Sequence, residues 1–238
     1  AVYQHERRGS GLNSEGRGHV DSWTTWLSDA MALADLARGE HEGMGVHLLA
    51  VSWGGKLAIA LAKAHADAFA SLALVAPGIF PLEDAPLLTK LRVVTALITG
   101  RQRRLLPIPL ADASLFTANP ERIRYIESDQ LGLRRVTARF MLESRRLDRY
   151  IRDAPGHIRI PTFLALAGKD RIINNPATER YVSAFRSAVK QIKTYPEAHH
   201  TLEFELNPEA FFDDLVAWVR ERAEPSQIDT PDTEVRTT

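Results

Sequence analysis

Three side chains of the types needed for nucleophilic catalysis follow segments of this sequence that have the pattern of β-strands. Ser52 follows the apolar run 46–51 and precedes an alanine- and leucine-rich run that begins at Gly54. Ala50 and Gly54, two positions away on either side, are small, as a sharp strand-to-helix turn requires. The segment predicts a nucleophile elbow of the type A-x-S-x-G, although a serine between small residues is also typical of an ordinary helix N-cap.

An acid and a base follow in the chain order Ser, Asp, His that accompanies such an elbow. A second apolar strand begins at Pro161 and runs into Gly-Lys-Asp, which places Asp170 in the loop beyond its carboxyl end. The short alternating strand 191–195 precedes a loop that carries His199 and His200. In a triad of this kind a histidine accepts the serine proton, the serine oxygen attacks an acyl carbon, and the aspartate orients the imidazole.

The elements that position these residues alternate between strand and helix, with one long interruption. Positions 22–37 have the periodicity of an amphipathic helix, and the continuous apolar run 71–77 is typical of a buried parallel strand. The alternation stops between about 78 and 160 and resumes at Pro161. Within this interval the sequence predicts helices at 85–99, 119–128 and 131–152, separated by the apolar stretch 105–110.

These elements predict an α/β fold with a mostly parallel sheet flanked by helices. The predicted organisation is a first core part (1–77), a helical insert (78–160), a second core part (161–223) and a polar tail (224–238). The tail contains too few apolar residues to fold, so we expect it to be disordered. A chain of 238 residues is long enough to bury one sizeable core.

In these segments the sequence resembles the monoacylglycerol lipase and lysophospholipase branch of the α/β-hydrolases, also labelled serine aminopeptidase-like. The resemblance covers nearly the whole chain and includes the glycine-containing loop 7–20. It implies that Ser52 is the nucleophile, Asp170 the acid and His200 the base, because 198–202 matches the family pattern small-x-His-x-Leu. His199 then occupies a position where the family often has an aromatic residue, and we interpret it as a loop histidine packed against the acyl pocket.

The resemblance also implies a role for the insert as a cap over the site. Part of its apolar surface is then expected to line an acyl tunnel or to make transient contact with a membrane surface. The predicted substrate-binding residues are Leu105, Leu106, Ile108 and His199.

The predicted oxyanion donor is the backbone N–H of Trp53, at the start of the helix after the elbow. In the family a second donor comes from a loop after the third strand, usually marked by a His-Gly segment, and no such segment precedes Ser52. We therefore interpret residues 1–6 as the tail of the fourth strand, and expect the first three strands and the oxyanion loop to be missing from this sequence.

Composition and spacing argue against several other classes of protein. Thirty basic and thirty acidic side chains leave no net charge to attract nucleic acid, and the lack of cysteine excludes thiolate chemistry and disulfides. The histidine spacings match no metal motif, and no dinucleotide loop is present, so we predict neither a metal nor a cofactor. No run of about 18 apolar residues and no opening secretory signal occur, which favours a cytoplasmic location.

The sequence therefore predicts a serine carboxylic-ester hydrolase that acts on monoacylglycerols, lysophospholipids or similar small acyl esters through an acyl-enzyme on Ser52. The alternative is a catalytically impaired or non-catalytic hydrolase fragment that binds apolar ligands. Acyl length, head group and oligomeric state do not follow from the sequence.

Overall fold

Four parallel strands form the centre of the protein, whose computed structural model describes residues 1–4, 6–82, 85–108, 110 and 112–223. The strands of the chain are β1 (His47–Val51), β2 (Ser71–Val75), β3 (Leu105–Pro107), β4 (Arg135–Thr137), β5 (Thr162–Ala167) and β6 (Lys190–Tyr195). The central sheet has the order β1-β2-β5-β6, and β3 and β4 form a separate antiparallel pair. The predicted tail 224–238 lies outside the described residues.

Helices precede and follow the strands as the alternation of the sequence predicts. They are α1 (Trp23–Glu40), α2 (Gly54–Ala64), α3 (Leu87–Ile98), α4 (Pro120–Ser128), α5 (Ala138–Tyr150), α6 (Asn175–Ser183) and α7 (Glu209–Ala223). Helix α1 begins after Ser22, whose hydroxyl accepts a hydrogen bond from the Thr24 N–H at 3.3 Å. The predicted α/β fold, with its mostly parallel sheet and flanking helices, is confirmed.

The core lies on both faces of the two inner strands. Every residue of β2 and of β5 is buried, which requires a helical layer on each side of the sheet. The Phe163 ring of β5 stacks on Trp218 of α7 with centroids 5.7 Å apart. Because the four strands are parallel and paired in register, their carboxyl ends lie at one edge of the sheet. The loops after β1, β5 and β6 therefore open at the same edge.

The insert between β2 and β5 differs from its prediction at one helix. Helix α5 begins at Ala138, so the prediction of a helix over 131–152 is wrong in its first seven positions. Thr137 ends the preceding extended segment, because its hydroxyl accepts the Phe140 N–H at 3.1 Å and so caps the helix. Residues 135–137 pair instead with 105–107 as β4 and β3.

Helix α3 of the insert presents apolar side chains to solvent. Of its residues only Ala96 is buried. The exposed apolar side chains follow helical spacing and share one face; they are Leu87, Leu88, Leu91, Val94 and Ile98. None of the helices in the described part of the chain combines the length and the apolar character needed to span a bilayer.

Residues 1–4 do not form the predicted tail of a strand. Val2 is exposed, and the Tyr3 hydroxyl contacts the side chains of Glu40 and His41 at the end of α1. These polar contacts hold Tyr3 at the end of the helix. Within the described residues β1 is the edge strand of the sheet, and Leu49 and Val51 on it are 55% and 37% exposed.

Candidate active site

Ser52 lies in a strained turn between β1 and α2. Its φ angle is +50°, a left-handed conformation that is uncommon for residues other than glycine. The Ser52 N–H donates to the Val75 carbonyl at 2.9 Å, and the Ser52 carbonyl accepts the N–H groups of Gly55 and Gly78 at 2.9 and 2.8 Å. These three hydrogen bonds hold the turn, which is the geometry of a nucleophile elbow.

The closest packing around the elbow falls at Gly55 and Gly78. A Cβ on Gly55 would lie 2.5 Å from the Cβ of Pro77, and a Cβ on Gly78 would lie 3.2 Å from the Trp53 nitrogen. A Cβ on Gly54 would meet the Ala50 Cβ at 3.9 Å, which is an ordinary contact. The methyl group of Ala50 is therefore accommodated, and the A-x-S-x-G variant of the motif fits the turn without additional strain.

The structure brings the side chains of Ser52, His200 and Asp170 together at the carboxyl edge of the sheet. Nε2 of His200 lies 2.7 Å from the Ser52 Oγ, and Nδ1 lies 2.8 Å from Oδ2 of Asp170. The His200 and Asp170 side chains are 1% and 0% exposed. An imidazole with its proton on Nδ1 satisfies both contacts, since it donates to the carboxylate and accepts from the hydroxyl.

The Asp170 carboxylate is fixed by the backbone of its own loop. Its Oδ1 accepts the N–H groups of Ile172 and Ile173 at 2.7 and 3.1 Å, which leaves Oδ2 directed at His200. Because both oxygens have partners, the buried carboxylate is satisfied and its orientation is set before any ligand binds.

The two neighbouring histidines have different partners. His199 Nδ1 lies 3.1 Å from Oε1 of Glu205, and the same oxygen accepts the His199 backbone N–H at 2.9 Å. His199 is thus held by Glu205, whereas His200 joins Ser52 to Asp170. The expected contact of His199 with an acyl pocket stays a prediction.

Trp53 occupies the first position of the predicted oxyanion hole. Trp53 is the N-cap residue of α2, and backbone N–H groups at the start of a helix lack intrahelical acceptors. The indole is held by its surroundings: Nε1 donates to the Ser144 hydroxyl at 3.2 Å, and the Arg7 guanidinium lies 4.2 Å from the ring centroid. Burial lowers the pKa of Arg7 to about 10. These contacts hold the Trp53 side chain in place.

The other predicted substrate-binding residues lie on and after β3. Leu106 is buried against Ala96 and Ala138, and Ile108 packs against a second cluster that includes Trp26 and Phe140. Leu105 is 41% exposed. Packing within the insert accounts for Leu106 and Ile108, so their expected contact with an acyl chain stays a prediction.

Two further residues near His200 were not indicated by any sequence motif. The Phe116 ring of the insert lies 5.9 Å from the imidazole centroid, at 74° to its plane. Glu203 is partly buried, its Oε2 has no hydrogen-bond partner among the described residues, and burial raises its pKa. A lone aromatic and a lone acid have no spacing that marks them, so only the folded arrangement reveals their positions.

A parallel sheet whose carboxyl edge presents a serine elbow, a buried aspartate and a histidine defines the α/β-hydrolase class of proteins. The sequence profile of the serine aminopeptidase S33 family matches residues 1–207, and the chain belongs to this family. The monoglyceride lipase of Homo sapiens is 24% identical in an alignment of 237 residues that covers 97% of this chain and 76% of that protein. The monoacylglycerol lipase of Mycolicibacterium smegmatis is 22% identical over 223 residues, covering 92% of this chain and 77% of the relative.

Solved structures share the fold at lower identity. The monoacylglycerol lipase of Paleococcus ferrophilus superposes with a TM-score of 0.75 and 21% identity, over 90% of this chain and 80% of that one. A soluble variant of the monoglyceride lipase of Saccharomyces cerevisiae, in complex with a substrate analog, superposes with a TM-score of 0.76 and 17% identity. The match covers 92% of this chain and 77% of that one. The predictions of the family and of a serine ester hydrolase of the lipase and esterase type are confirmed.

Proposed function

We propose that the protein hydrolyses small acyl esters through a covalent acyl-enzyme on Ser52. The observation that carries this proposal is the continuous contact from the Ser52 Oγ to His200 at 2.7 Å and from His200 to Asp170 at 2.8 Å. A serine hydroxyl is a weak nucleophile at neutral pH, and an imidazole in this position removes its proton as the oxygen attacks.

In the first half of the reaction the Ser52 Oγ attacks the acyl carbon and its proton passes to Nε2 of His200. The carbonyl electrons move to the oxygen, which the Trp53 N–H stabilises; one such donor contributes about 3 kcal/mol. The tetrahedral intermediate collapses, the alcohol leaves with the proton from Nε2, and an ester on Ser52 remains. In the second half a water molecule attacks the same acyl carbon and gives its proton to Nε2 of His200. The bond to Ser52 then breaks, the Ser52 oxygen takes that proton, and the carboxylic acid is released.

Asp170 serves both halves by holding His200 in one tautomer and by stabilising the imidazolium that forms. Its own hydrogen bonds to the N–H groups of Ile172 and Ile173 keep the carboxylate aligned with His200. Because the pair is buried, its electrostatic attraction is little screened by solvent.

We propose monoacylglycerols, lysophospholipids and similar esters as the substrates. Two relatives named monoglyceride lipase and monoacylglycerol lipase support this choice. The exposed apolar face of α3 supports it independently, because apolar side chains on the insert favour a substrate with an acyl chain and transient contact with the lipid aggregate that holds it.

Fluorophosphonate labelling with the Ser52→Ala variant as control tests the mechanism, because phosphonylation requires an activated serine. We expect the wild-type protein to be labelled and to release fatty acid from monoacylglycerols, and the variant to do neither. Turnover that persists in Ser52→Ala overturns the proposal. A wild-type protein that binds acyl chains but is neither labelled nor active would be the non-catalytic binding module of the alternative interpretation.

A further inference from the structure

A segment of the insert reaches across the carboxyl edge of the sheet and contacts the loop that carries His200. We call residues 112–119 the buttress segment. The Thr201 N–H, next to the histidine, donates to the Phe116 carbonyl at 2.9 Å. The Phe204 carbonyl, four positions beyond the histidine, accepts from the Thr117 hydroxyl and from Nδ2 of Asn119, each at 3.2 Å. The loop that carries His200, here called the base loop, is thus hydrogen-bonded to the insert at positions that follow His200 in the sequence.

The same segment also contacts the loop after β5 that carries Asp170, here called the acid loop. Nη2 of Arg171, adjacent to the catalytic aspartate, donates to the Ser114 carbonyl at 2.6 Å and lies 3.0 Å from the Ser114 hydroxyl. The Asp112 carboxylate accepts the Ser114 N–H at 2.9 Å and fixes that turn. The buttress segment therefore connects the two loops whose side chains must stay in contact for catalysis.

Within this segment the Phe116 side chain is the one that meets the imidazole. Its ring is half-buried and lies edge-on to His200, with centroids 5.9 Å apart and planes at 74°. The hydrogen bonds to Asp170 and Ser52 hold the two nitrogens of the imidazole, and the T-shaped contact with Phe116 adds packing against the ring itself. An aromatic ring at this position limits movement of the imidazole.

We propose that Phe116 is a positioning residue that keeps the His200 imidazole aligned between Ser52 and Asp170. This inference rests on the proposed function, because alignment of His200 matters only if it transfers the serine proton. In this role Phe116 acts through His200. Displacement of a catalytic group by about 1 Å can cost about 10²-fold in rate, so loss of the ring is expected to reduce the chemical step.

The test compares variants that remove the ring with one that keeps it. Phe116→Leu and Phe116→Met remove the ring, and Phe116→Tyr retains it. The matched control is Phe204→Leu, because the Phe204 ring lies in the same junction but packs on Tyr125 at 5.9 Å and beneath Arg122 at 5.3 Å. For each variant kcat, KM, the second-order rate of fluorophosphonate labelling and the unfolding temperature are measured.

We expect kcat and the labelling rate of Phe116→Leu and Phe116→Met to fall together by about 10- to 100-fold, with KM little changed. Phe116→Tyr should recover most of the rate, and Phe204→Leu should keep the wild-type kcat. A loss in Phe204→Leu equal to that in Phe116→Leu, or a lower unfolding temperature with unchanged kcat and labelling, overturns the inference.

Ser52→Ala, measured in parallel, separates this inference from the proposed function. An inactive Ser52→Ala beside fully active Phe116 variants overturns the positioning role alone. An active Ser52→Ala overturns the proposed function and the positioning role with it.

Discussion

Replacement of Asp170 by asparagine changes one atom of the carboxylate and tests the tautomer of His200. In the wild type Oδ1 of Asp170 accepts the N–H groups of Ile172 and Ile173 at 2.7 and 3.1 Å. In the variant the amide oxygen can take the place of Oδ1 and accept the same two N–H groups. The amide nitrogen then takes the place of Oδ2, which lies 2.8 Å from Nδ1 of His200 in the wild type. Two donors cannot face each other, so Nδ1 loses its proton and Nε2 gains one.

The protonated Nε2 then points at the Ser52 Oγ and cannot accept the serine proton. In Ser-His-Asp enzymes the wrong tautomer lowers kcat by about 10⁴-fold, which corresponds to about 5.4 kcal/mol at about 1.36 kcal/mol for each factor of ten. We expect a loss of this size in p-nitrophenyl ester hydrolysis and in the rate of fluorophosphonate labelling. The unfolding temperature should change little, because the loop hydrogen bonds are kept.

The same carboxyl-to-amide change at Asp213, exposed on α7, is the matched control and should leave kcat unchanged. A loss below about tenfold in Asp170→Asn, with the fold intact, would refute the assignment of the acid, since a catalytic imidazole in the wrong tautomer cannot work at near-normal rate.

The remaining predictions concern the two histidines, a buried acid and the sheet edge. His200→Ala should lower kcat by more than about 10⁴-fold because triad members act as a unit. His199→Ala removes the contact of the imidazole with Glu205 but no member of the triad, so it should retain most activity in the same assay. The reverse order would contradict the choice of base. Because burial raises the pKa of Glu203, its ionised form destabilises the fold, and the stability it contributes at low pH is lost as pH rises through its raised pKa. Glu203→Gln should therefore unfold at a higher temperature than the wild type at about pH 8 and lose that advantage near pH 4, the ordinary range of a carboxyl group; an advantage independent of pH would rule out ionisation as its cause. Leu49→Lys places a charge on edge strand β1 and should reduce self-association in light scattering without lowering the unfolding temperature, and unchanged scattering would show that this edge does not mediate contacts.

The places of Ser52, Asp170 and His200 in the fold could be predicted because each follows a strand of a parallel sheet, and the family pattern distinguished His200 from His199. Such strands end at one edge, so residues far apart in the sequence meet there. The helix over 22–37 and the strand over 191–195 could be predicted from their periodicity, and the strand over 71–77 from its continuous apolar character. Helix α1 and strands β6 and β2 confirm them.

Parts of the insert could not be predicted because their structure depends on contacts distant in sequence. Strands β3 and β4 have three residues each, too few to show an alternation, and each exists because the other pairs with it. The start of α5 depends on the same pairing, since Thr137 ends β4 and caps the helix. The contact of Phe116 with His200 joins the insert to a loop 84 positions later, and no local pattern encodes it.

Exchange of the insert for that of another hydrolase, as in chimeras made to change selectivity, is constrained by the buttress segment. The insert meets the acid loop near its start, where the Leu82 N–H donates to the Ile172 carbonyl at 2.9 Å, and it meets both loops again through residues 112–119. A chimera joined at 78 and 160 would replace these contacts along with the exposed helix. Crossover points that exchange α3 and β3 but keep 112–119 would carry over a new apolar surface and leave the support of His200 in place.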